Sequence, residues 1–454
     1  MKRTFSMGGV HPSDSKISRN CIITELPVPP TVYISLSQHI GAPAKPIVSV
    51  GDKVKVGQII AEPVGFVSAY IHSSVSGTVK SIGLRKDIAG KNQECVEIKV
   101  EGDEWLEDID RSDTLLTEFT EDNKAIIEKI KLGGVVGLGG ATFPTHIKLC
   151  PPPGKKCETL IINGCECEPY LTSDFRTMVE KGEQVVVGTA IMKQVLGVDK
   201  AVIGIEDNKP EAIRNITEVI ERLSAVSDKY SGITVMGLLK KYPEGGEKQL
   251  IDAVMHRQVK SGCLPIDAGA VVQNVGTALA VYDAVQKNKP LIDNSITVTG
   301  ECFPKQSNLL VRVGTPIQYI VDYLEGFPDD AVKVVSGGPM MGKAIANMDA
   351  STMKGTSALL FLTADQTLRK QESYCIRCGK CAEACPMGLE PFLLNRLARN
   401  GMKEELEDNA VQDCIECGCC LYSCPAYIPL LDVIRMAKAE VLGIIRARKA
   451  ANKA

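Results

Sequence analysis

CIRCGKCAEACP, residues 375–386, and CIECGCCLYSCP, residues 414–425, share one spacing. Cys375, Cys378, Cys381 and Cys385 form the first run and Cys414, Cys417, Cys420 and Cys424 the second, each reading C-x2-C-x2-C-x3-C-P. Three thiolates two residues apart wrap one face of a [4Fe–4S] cube while the backbone stays in a tight loop. The fourth cysteine sits on the following helix, points away, and in two-cluster proteins ligates the other cube. The spacing therefore predicts two [4Fe–4S] clusters with crossed ligands. Cys375, Cys378, Cys381 and Cys424 hold one; Cys414, Cys417, Cys420 and Cys385 hold the other. Pro386 and Pro425 lack a backbone N–H and begin new segments. Cys419 lies out of register and belongs to neither set. Zinc sites use paired ligands, disulfide frameworks belong to small secreted chains, and MKRTFSMGGVHPSDS has no apolar segment of a signal peptide. Such a segment carries electrons.

The runs start 39 residues apart, with helix-like LEPFLLNRLARNG and MKEELEDNA between them. A helical link of that length predicts an α-helical ferredoxin module over 365–454. The tail LDVIRMAKAEVLGIIRARKAANKA is helical and basic, either a solvated terminal helix or a face for an anionic membrane or partner.

The chain has 454 residues, enough for two to four domains. Its net charge of −3 leaves no electrostatic footprint for nucleic acid. The apolar run ALLFLTA, residues 358–364, is far too short to span a bilayer. Seventeen cysteines without an export signal point to a reducing compartment. These features predict a soluble cytoplasmic redox protein, attached to any membrane complex through a partner.

Residues 1–110 alternate apolar and polar positions, as in PIVSVGDKVKVGQIIAEP, with Gly51 and Gly57 at turns, and VSAYIHSSVSGTVKSIG. They resemble the lipoyl/biotinyl hammerhead, or barrel-sandwich hybrid. Carriers of that family have a lysine at the hairpin tip; here the stretch is Val67-Ser68-Ala69-Tyr70, which implies a structural or docking module. Trp105 is expected to pack. Residues 111–290 alternate strands (TLIIN, AVIGIED, GITVMGL) with amphipathic helices, which predicts a Rossmann-like parallel α/β sheet. Residues 291–364, containing SITVTGECFPKQSNLLVRVGTPIQYIVDYLEGF, resemble the SLBB β-grasp module. The fold class is thus multidomain α/β, running from a barrel-sandwich domain through α/β and β-grasp domains to a helical two-cluster domain.

GGVVGLGGATFPTHIK, residues 133–148, lets backbone approach a phosphate, with Phe143 as an aromatic face and Lys148 as a charge. It does not have the G-x-G-x-x-G spacing of an ordinary dinucleotide fold. INGCECEPYLTSD, residues 162–174, puts Asn163, Glu166 and Glu168 at a strand's carboxyl end, either as a solvated loop or as part of a ligand site. Beside the glycine loop and the clusters, a flavin site is the better reading. Cys150, Cys157, Cys165, Cys167 and Cys263 read as small packing residues, and His146 as a packing or hydrogen-bonding one.

Gly137 through Thr145 and Lys148, Asn163 through Pro169, YPEGGEKQL at 242–250, and Gln273 through Thr277 resemble the motifs of the FMN- and NADH-binding subunit of respiratory complex I. With FSMGGVHP (residues 5–12), the hammerhead, the β-grasp module and the paired runs, the whole chain resembles the C-subunit family of the Rnf ion-translocating ferredoxin:NAD oxidoreductase. The resemblance implies that Gly137, Gly139, Gly140 and Lys148 hold the FMN phosphate and ribityl chain, and that Asn163, Glu166, Asn274 and Thr277 complete the flavin pocket. It implies that Phe143, Glu168, Tyr242 and Glu247 face NADH. Where the complex I protein has an arginine, an aspartate, a glutamate and an asparagine, this chain has Leu138, Cys165, Gly246 and Gln273. The complex I protein also carries one cluster where this chain has ligands for two.

The implied chemistry is hydride exchange with NAD(H) at FMN and single-electron exchange through the clusters, with no side chain as catalytic acid or base. The implied partners are the other Rnf subunits, a ferredoxin-like one and integral membrane ones among them. The implied place is the cytoplasmic side of the membrane, peripherally attached. A cobalamin reductase of the propanediol-utilisation type would share most of these modules. A flavin-free electron-transfer scaffold is a third alternative.

Overall fold

In the computed structural model, which describes residues 3–451, alternating segments form strands and periodic ones helices. Residues 3–22 run along the parallel-sheet domain, and β1 (Ile23–Glu25) joins a sheet completed near the other end of the chain. The sandwich is built from β2 (Thr31–Ser35), β3 (Lys45–Pro46), β4 (Lys53–Val54), β5 (Ile59–Glu62), β6 (Ile71–His72), β7 (Gly77–Lys86) and β8 (Asn92–Val100). A sheet β2-β8-β7-β4 encloses with β3-β5-β6 a core of Val32, Ile34, Ile60, Ile71, Val79 and Ile98. Ala69 is buried, its N–H on His39 Nε2 at 3.1 Å, so the lysine-free stretch is packed and is no free tip. The guanidinium groups of Arg111 and Arg312 each lie 4.6 Å from the centre of the Trp105 ring.

The next domain contains α1 (Asn123–Leu132), α2 (Thr145–Lys148), β9 (Thr159–Asn163), α3 (Ser173–Glu180), α4 (Gly182–Leu196), β10 (Lys200–Glu206), α5 (Pro210–Ser224), β11 (Ile233–Leu238), α6 (Glu247–Met255), β12 (Ala270–Asn274) and α7 (Val275–Gln286). Its strands are all parallel, in the order β11-β10-β9-β12. One face packs Ile161, Val202 and Val272 under Leu250 and Val254 of α6. The other packs Leu160, Ile162 and Ile203 against α4, α5 and α7. Burial on both faces explains why these strands read as continuous apolar runs. From β9 the chain moves outward to β10 and β11, then returns to the other side at β12, so the order reverses between β9 and β12. Ligands of open α/β sheets bind in the crevice outside such a reversal. Asn163 and Asn274 are register partners at its rim.

β13 (Asp293–Thr299), β14 (Ser307–Arg312), α8 (Ile317–Tyr323), β15 (Ala331–Ser336), β16 (Lys343–Ala344) and β17 (Ala358–Thr363) form the third domain, with sheet order β1-β14-β13-β17-β15-β16. Ile317, Ile320 and Val321 of α8 pack on Ile296, Leu309 and Phe361. The sheet has the β-grasp arrangement of a helix laid over it and parallel inner strands β13 and β17, with β1 added at one edge. The cluster domain follows as α9 (Ala364–Thr367), α10 (Lys380–Glu383), α11 (Pro391–Arg399), α12 (Lys403–Asp408), α13 (Cys419–Tyr422) and α14 (Leu430–Ala451). The link between the runs is helical, α11 and α12, as its periodicity predicts. Leu430, Leu431, Ile434, Ala437 and Val441 bury one stripe of α14 in this domain's core, and Arg448 near its end pairs with Glu407. The last three residues of the basic tail lie outside the described residues.

Candidate functional site

The glycine loop roofs the crevice between β9 and β12. It closes on itself: Gly137 N–H donates to the Phe143 carbonyl at 2.9 Å, and Thr145 N–H to that of Val135 at 3.0 Å. Leu138 N–H donates to Thr277 Oγ1 at 2.9 Å, which seats the loop on the first turn of α7. Asn274 caps that helix, its Oδ1 accepting from Gly276 N–H at 2.7 Å. Gly139 and Gly140 are exposed, and Gly140 has a φ of +124°, which a side chain would strain. Exposed glycine amides beside a helix N-terminus suit a phosphate. Lys148 Nζ stands 2.6 Å from Glu247 Oε1, the first residue of α6, so one ion pair joins the two motifs across the mouth. Asn163 Nδ2 donates to the Gly245 carbonyl at 2.8 Å, drawing the 242–250 motif over the rim. Gln273 Nε2 on β12 and Thr145 Oγ1 at the loop's end are buried without a partner among the described residues. That unspent hydrogen-bonding capacity, with the open glycine backbone, fits a phosphorylated polyhydroxyl ligand such as FMN.

The four positions that depart from the complex I pattern have structural places of their own. Leu138 lies over Gly276, Cys165 is buried in the core under α6, Gly246 is the N-cap of that helix, and Gln273 is buried.

Two lysines outside the sequence-predicted set, half-buried Lys16 and buried Lys209, hold the acidic loop. Lys16 Nζ donates to the carbonyls of Glu166, Glu168 and Leu171 at 2.8, 2.9 and 2.6 Å. Lys209 Nζ donates to the Cys165 carbonyl at 2.6 Å and pairs with Glu206 at 3.0 Å. The Glu166 carboxylate caps α3, accepting from Asp174 N–H at 2.7 Å, and Lys16 lies 3.8 Å away. Asp174 accepts from Asn274 Nδ2 at 2.8 Å and, with Leu138 and Gly276, lines one end of a cavity that runs on to Asp283, Lys289 and Asp293. Burial, with Glu166 nearby, pushes Asp174 up to about 7. In sequence it is an ordinary acid in a helix's first turn. Lys16 and Lys209 carry no local signal at all, since only the fold brings them to one loop.

Glu168 and Tyr242 point elsewhere. The Glu168 carboxylate accepts from Met340 and Met341 N–H at 3.0 and 2.7 Å, in the connection between β15 and β16, and burial pushes it above the usual range. The Tyr242 hydroxyl donates to the Cys417 carbonyl at 2.9 Å, and the side chain is buried. Together they tie the acidic loop and the 242–250 motif to the β-grasp domain and to the second cysteine run. Phe143, Lys148 and Glu247 remain at the crevice mouth, partly exposed.

Cys385, Cys414, Cys417 and Cys420 line one cavity, walled otherwise by Leu389, Leu394, Leu431 and Ile434. This is the crossed set read from the spacing. Cys381 and Cys424 are electrostatic neighbours, while Cys375 and Cys378 stand on the exposed segment 371–380. Among the described residues no group of His, Cys, Asp or Glu closes around a single ion. A cubane asks for thiolates around a cavity and not around a point, and the second set supplies them. Cys419 is buried behind it, its Sγ toward the Tyr242 carbonyl at 3.9 Å.

Three stretches of the chain match known families. Residues 4–103 match the RnfC barrel sandwich hybrid domain, 130–283 the Nuo51 FMN-binding domain, and 367–425 a 4Fe-4S dicluster domain. The C subunit of the proton-translocating ferredoxin:NAD(+) oxidoreductase complex of Clostridium ljungdahlii is 46% identical over 403 residues, 88% of this chain and 86% of that protein. Its Na(+)-translocating counterpart from Acetobacterium woodii is 42% identical over 441 residues, 96% of each chain. The C subunit of the ion-translocating oxidoreductase complex of Rhodobacter capsulatus is 38% identical over 97% of this chain and 84% of its own length. Among solved structures, an NAD+-reducing [NiFe]-hydrogenase in the H2-reduced state superposes with a TM-score of 0.52 at 19% identity. It covers 70% of this chain, which spans 63% of that one, and the likeness is one of fold. Among the described residues no helix is long and apolar enough to cross a membrane.

Proposed function

Because the chain belongs to the C-subunit family of Rnf-type ferredoxin:NAD+ oxidoreductase complexes, we propose that it is the NAD(H)-reactive peripheral subunit of such a complex. It exchanges hydride with NAD(H) at an FMN and single electrons with two [4Fe–4S] clusters. Its partners are membrane subunits and a ferredoxin-like subunit at the cytoplasmic face. The observation that carries this reading is the direct tie between the two sites. Tyr242 begins the motif over the crevice rim, and its hydroxyl holds the Cys417 carbonyl at 2.9 Å.

FMN, when bound, supplies the conversion between a two-electron and a one-electron carrier. The chain's part is to bind, orient and shield. Gly137, Gly139 and Gly140 offer backbone to the phosphate, and Lys148 offers charge once it leaves Glu247. Asn163, Asn274 and Thr277 set the crevice walls. Phe143 and Glu247, at the mouth, meet the nicotinamide nucleotide. Glu166 holds the acidic loop through its cap on α3, and Glu168 and Tyr242 hold the cluster side. The walled set with Cys385, tied to Tyr242, would hold the cluster nearer the flavin, and the set with Cys375, Cys378 and Cys424 would hold the one open to the next redox partner. Burial and hydrogen bonding around each set tune its potential.

Anaerobically purified protein, supplied with FMN, iron and sulfide, is expected to bind FMN and to reduce a one-electron dye with NADH. Its reduced EPR spectrum should show two interacting cubanes. Iron without FMN binding, and no NADH-dependent dye reduction, would leave only an electron-conducting scaffold.

A further inference from the structure

FSMGGVHP, residues 5–12, carries no cofactor ligand, yet it runs from the parallel-sheet domain to the one thiol that the buried cluster borrows from the other run. Both ends of the segment are anchored on the α6 side of that domain. Thr4 Oγ1 donates to Glu244 at 2.6 Å, and Ser6 donates through N–H and Oγ to Asp252 at 2.7 and 2.6 Å. Phe5 is buried, with Lys241 Nζ 4.0 Å above its ring. Val10 exchanges both backbone hydrogen bonds with Tyr242, at 2.8 and 2.9 Å.

Between these anchors the backbone presses on Cys385. Gly9 N–H donates to the Ala384 carbonyl at 3.0 Å. Gly8 has a φ of +66°, and a Cβ on it would sit 2.5 Å from the carbonyl carbon of Cys385 and 2.7 Å from Pro386 N. From the other side, Gln249 Nε2 of α6 donates to the Pro386 carbonyl at 3.1 Å. The need for such a clamp follows from the ligand set. Cys414, Cys417 and Cys420 share one loop and position one another. Cys385 comes from the other run, whose own loop is exposed, so an outside element must fix it.

We propose that the Gly8–Gly9 strap, with Gln249, is a positioning element for Cys385 and thereby a condition for the buried cluster. The inference rests on the two-cluster reading above. It adds that the nucleotide domain and the N-terminal segment must be folded together before this cluster is held.

The test uses the full chain, loaded anaerobically with iron and sulfide. Wild type is expected to hold about eight irons per chain, as two cubanes require. Gly8→Ala is expected to hold about four and to lose the spin–spin interaction in its EPR spectrum while still binding FMN. Gly65→Ala places the same kind of strain, at φ +79° with nothing near its Cβ, in the sandwich, and is expected to keep wild-type iron. Asp252→Ala loosens the strap without a new clash and is expected to speed iron loss to a chelator about fivefold. Wild-type iron and EPR in Gly8→Ala overturn the inference. So does loss of iron together with FMN, or equal iron loss in Gly65→Ala, because either is general unfolding. Wild type that holds no more than about four irons overturns the two-cluster reading itself, a result distinct from the others.

Discussion

Cys414, Cys417 and Cys420 face a cavity that Cys385 completes and that leucine and isoleucine side chains wall, whereas Cys375 and Cys378 stand on a segment exposed from residue 371 to 380. The local spacing of the two runs is the same, so the difference lies in what the rest of the chain lays against them. Tyr242 holds the Cys417 loop of the second run, and Gln249 with the N-terminal strap holds Ala384 to Pro386 at the end of the first, so all three support the walled set and none the exposed segment. Beside the first run's thiols are Tyr374 and Ile376, 95% and 67% exposed. A cluster in the walled setting is shielded and communicates inward; one on the exposed segment is open to a partner. On the proposed function, runs of one spacing would serve unlike ends of one electron path.

The largest expected effect tests the crossed ligands that the comparison assumes. Cys385→Ala should remove the buried cluster and spare the exposed one, and Cys424→Ala the reverse, each halving the iron and leaving one magnetically isolated cubane by EPR. If Cys385→Ala instead removes the cluster of its own run, the ligands are not shared and the two settings must be redrawn. Lys148→Ala should lower FMN affinity about tenfold by titration, the loss of roughly one charge-assisted contact, while both clusters stay. Because its pair with Glu247 is partly exposed, stability should change by less than about 1 kcal/mol.

Asp174 separates the crevice from the clusters by pH. Its carboxyl rises from 3.8 in the unfolded chain to about 7 in the fold, so the native state holds the proton more tightly. Stability from this group is full below pH 3.8 and falls as pH rises toward 7. Asp174→Asn keeps an acceptor for Asn274 and removes the slope. Its unfolding free energy should exceed wild type by an amount that grows across that window, to on the order of 4 kcal/mol at neutral pH. A difference that does not change with pH would show that Asp174 is not the group that titrates. The smallest effect belongs to Cys419→Ala. Iron content should not change, and the lost packing of a small buried side chain should cost about 1 kcal/mol in a denaturation curve.

Much of this was legible along the chain because the informative features are local. Ligand spacing, the glycine loop, two-residue alternation and apolar strands bounded by helices each need only neighbours in sequence. Residues whose role depends on distant partners were not legible. Glu166 and Glu168 read as ligand-facing acids, yet one caps α3 and the other holds the backbone of Met340 and Met341. Tyr242 reads as a residue facing NADH, yet its hydroxyl serves the loop of Cys417. Asp174, Lys16 and Lys209 carried no distinguishing pattern.

The sequence by itself determined that the chain holds eight thiolates in two cluster-binding runs, a phosphate-ready glycine loop and a parallel sheet to carry it, because hydrogen-bonding period and ligand spacing are properties of short segments. Only the tertiary structure decided which run is buried, which carboxylate meets Asn274 and what the N-terminal glycines touch. Those outcomes depend on desolvation and on contacts between residues hundreds of positions apart, where burial turns the same side chain from a solvated charge into a cap, a lock or a proton-holding acid.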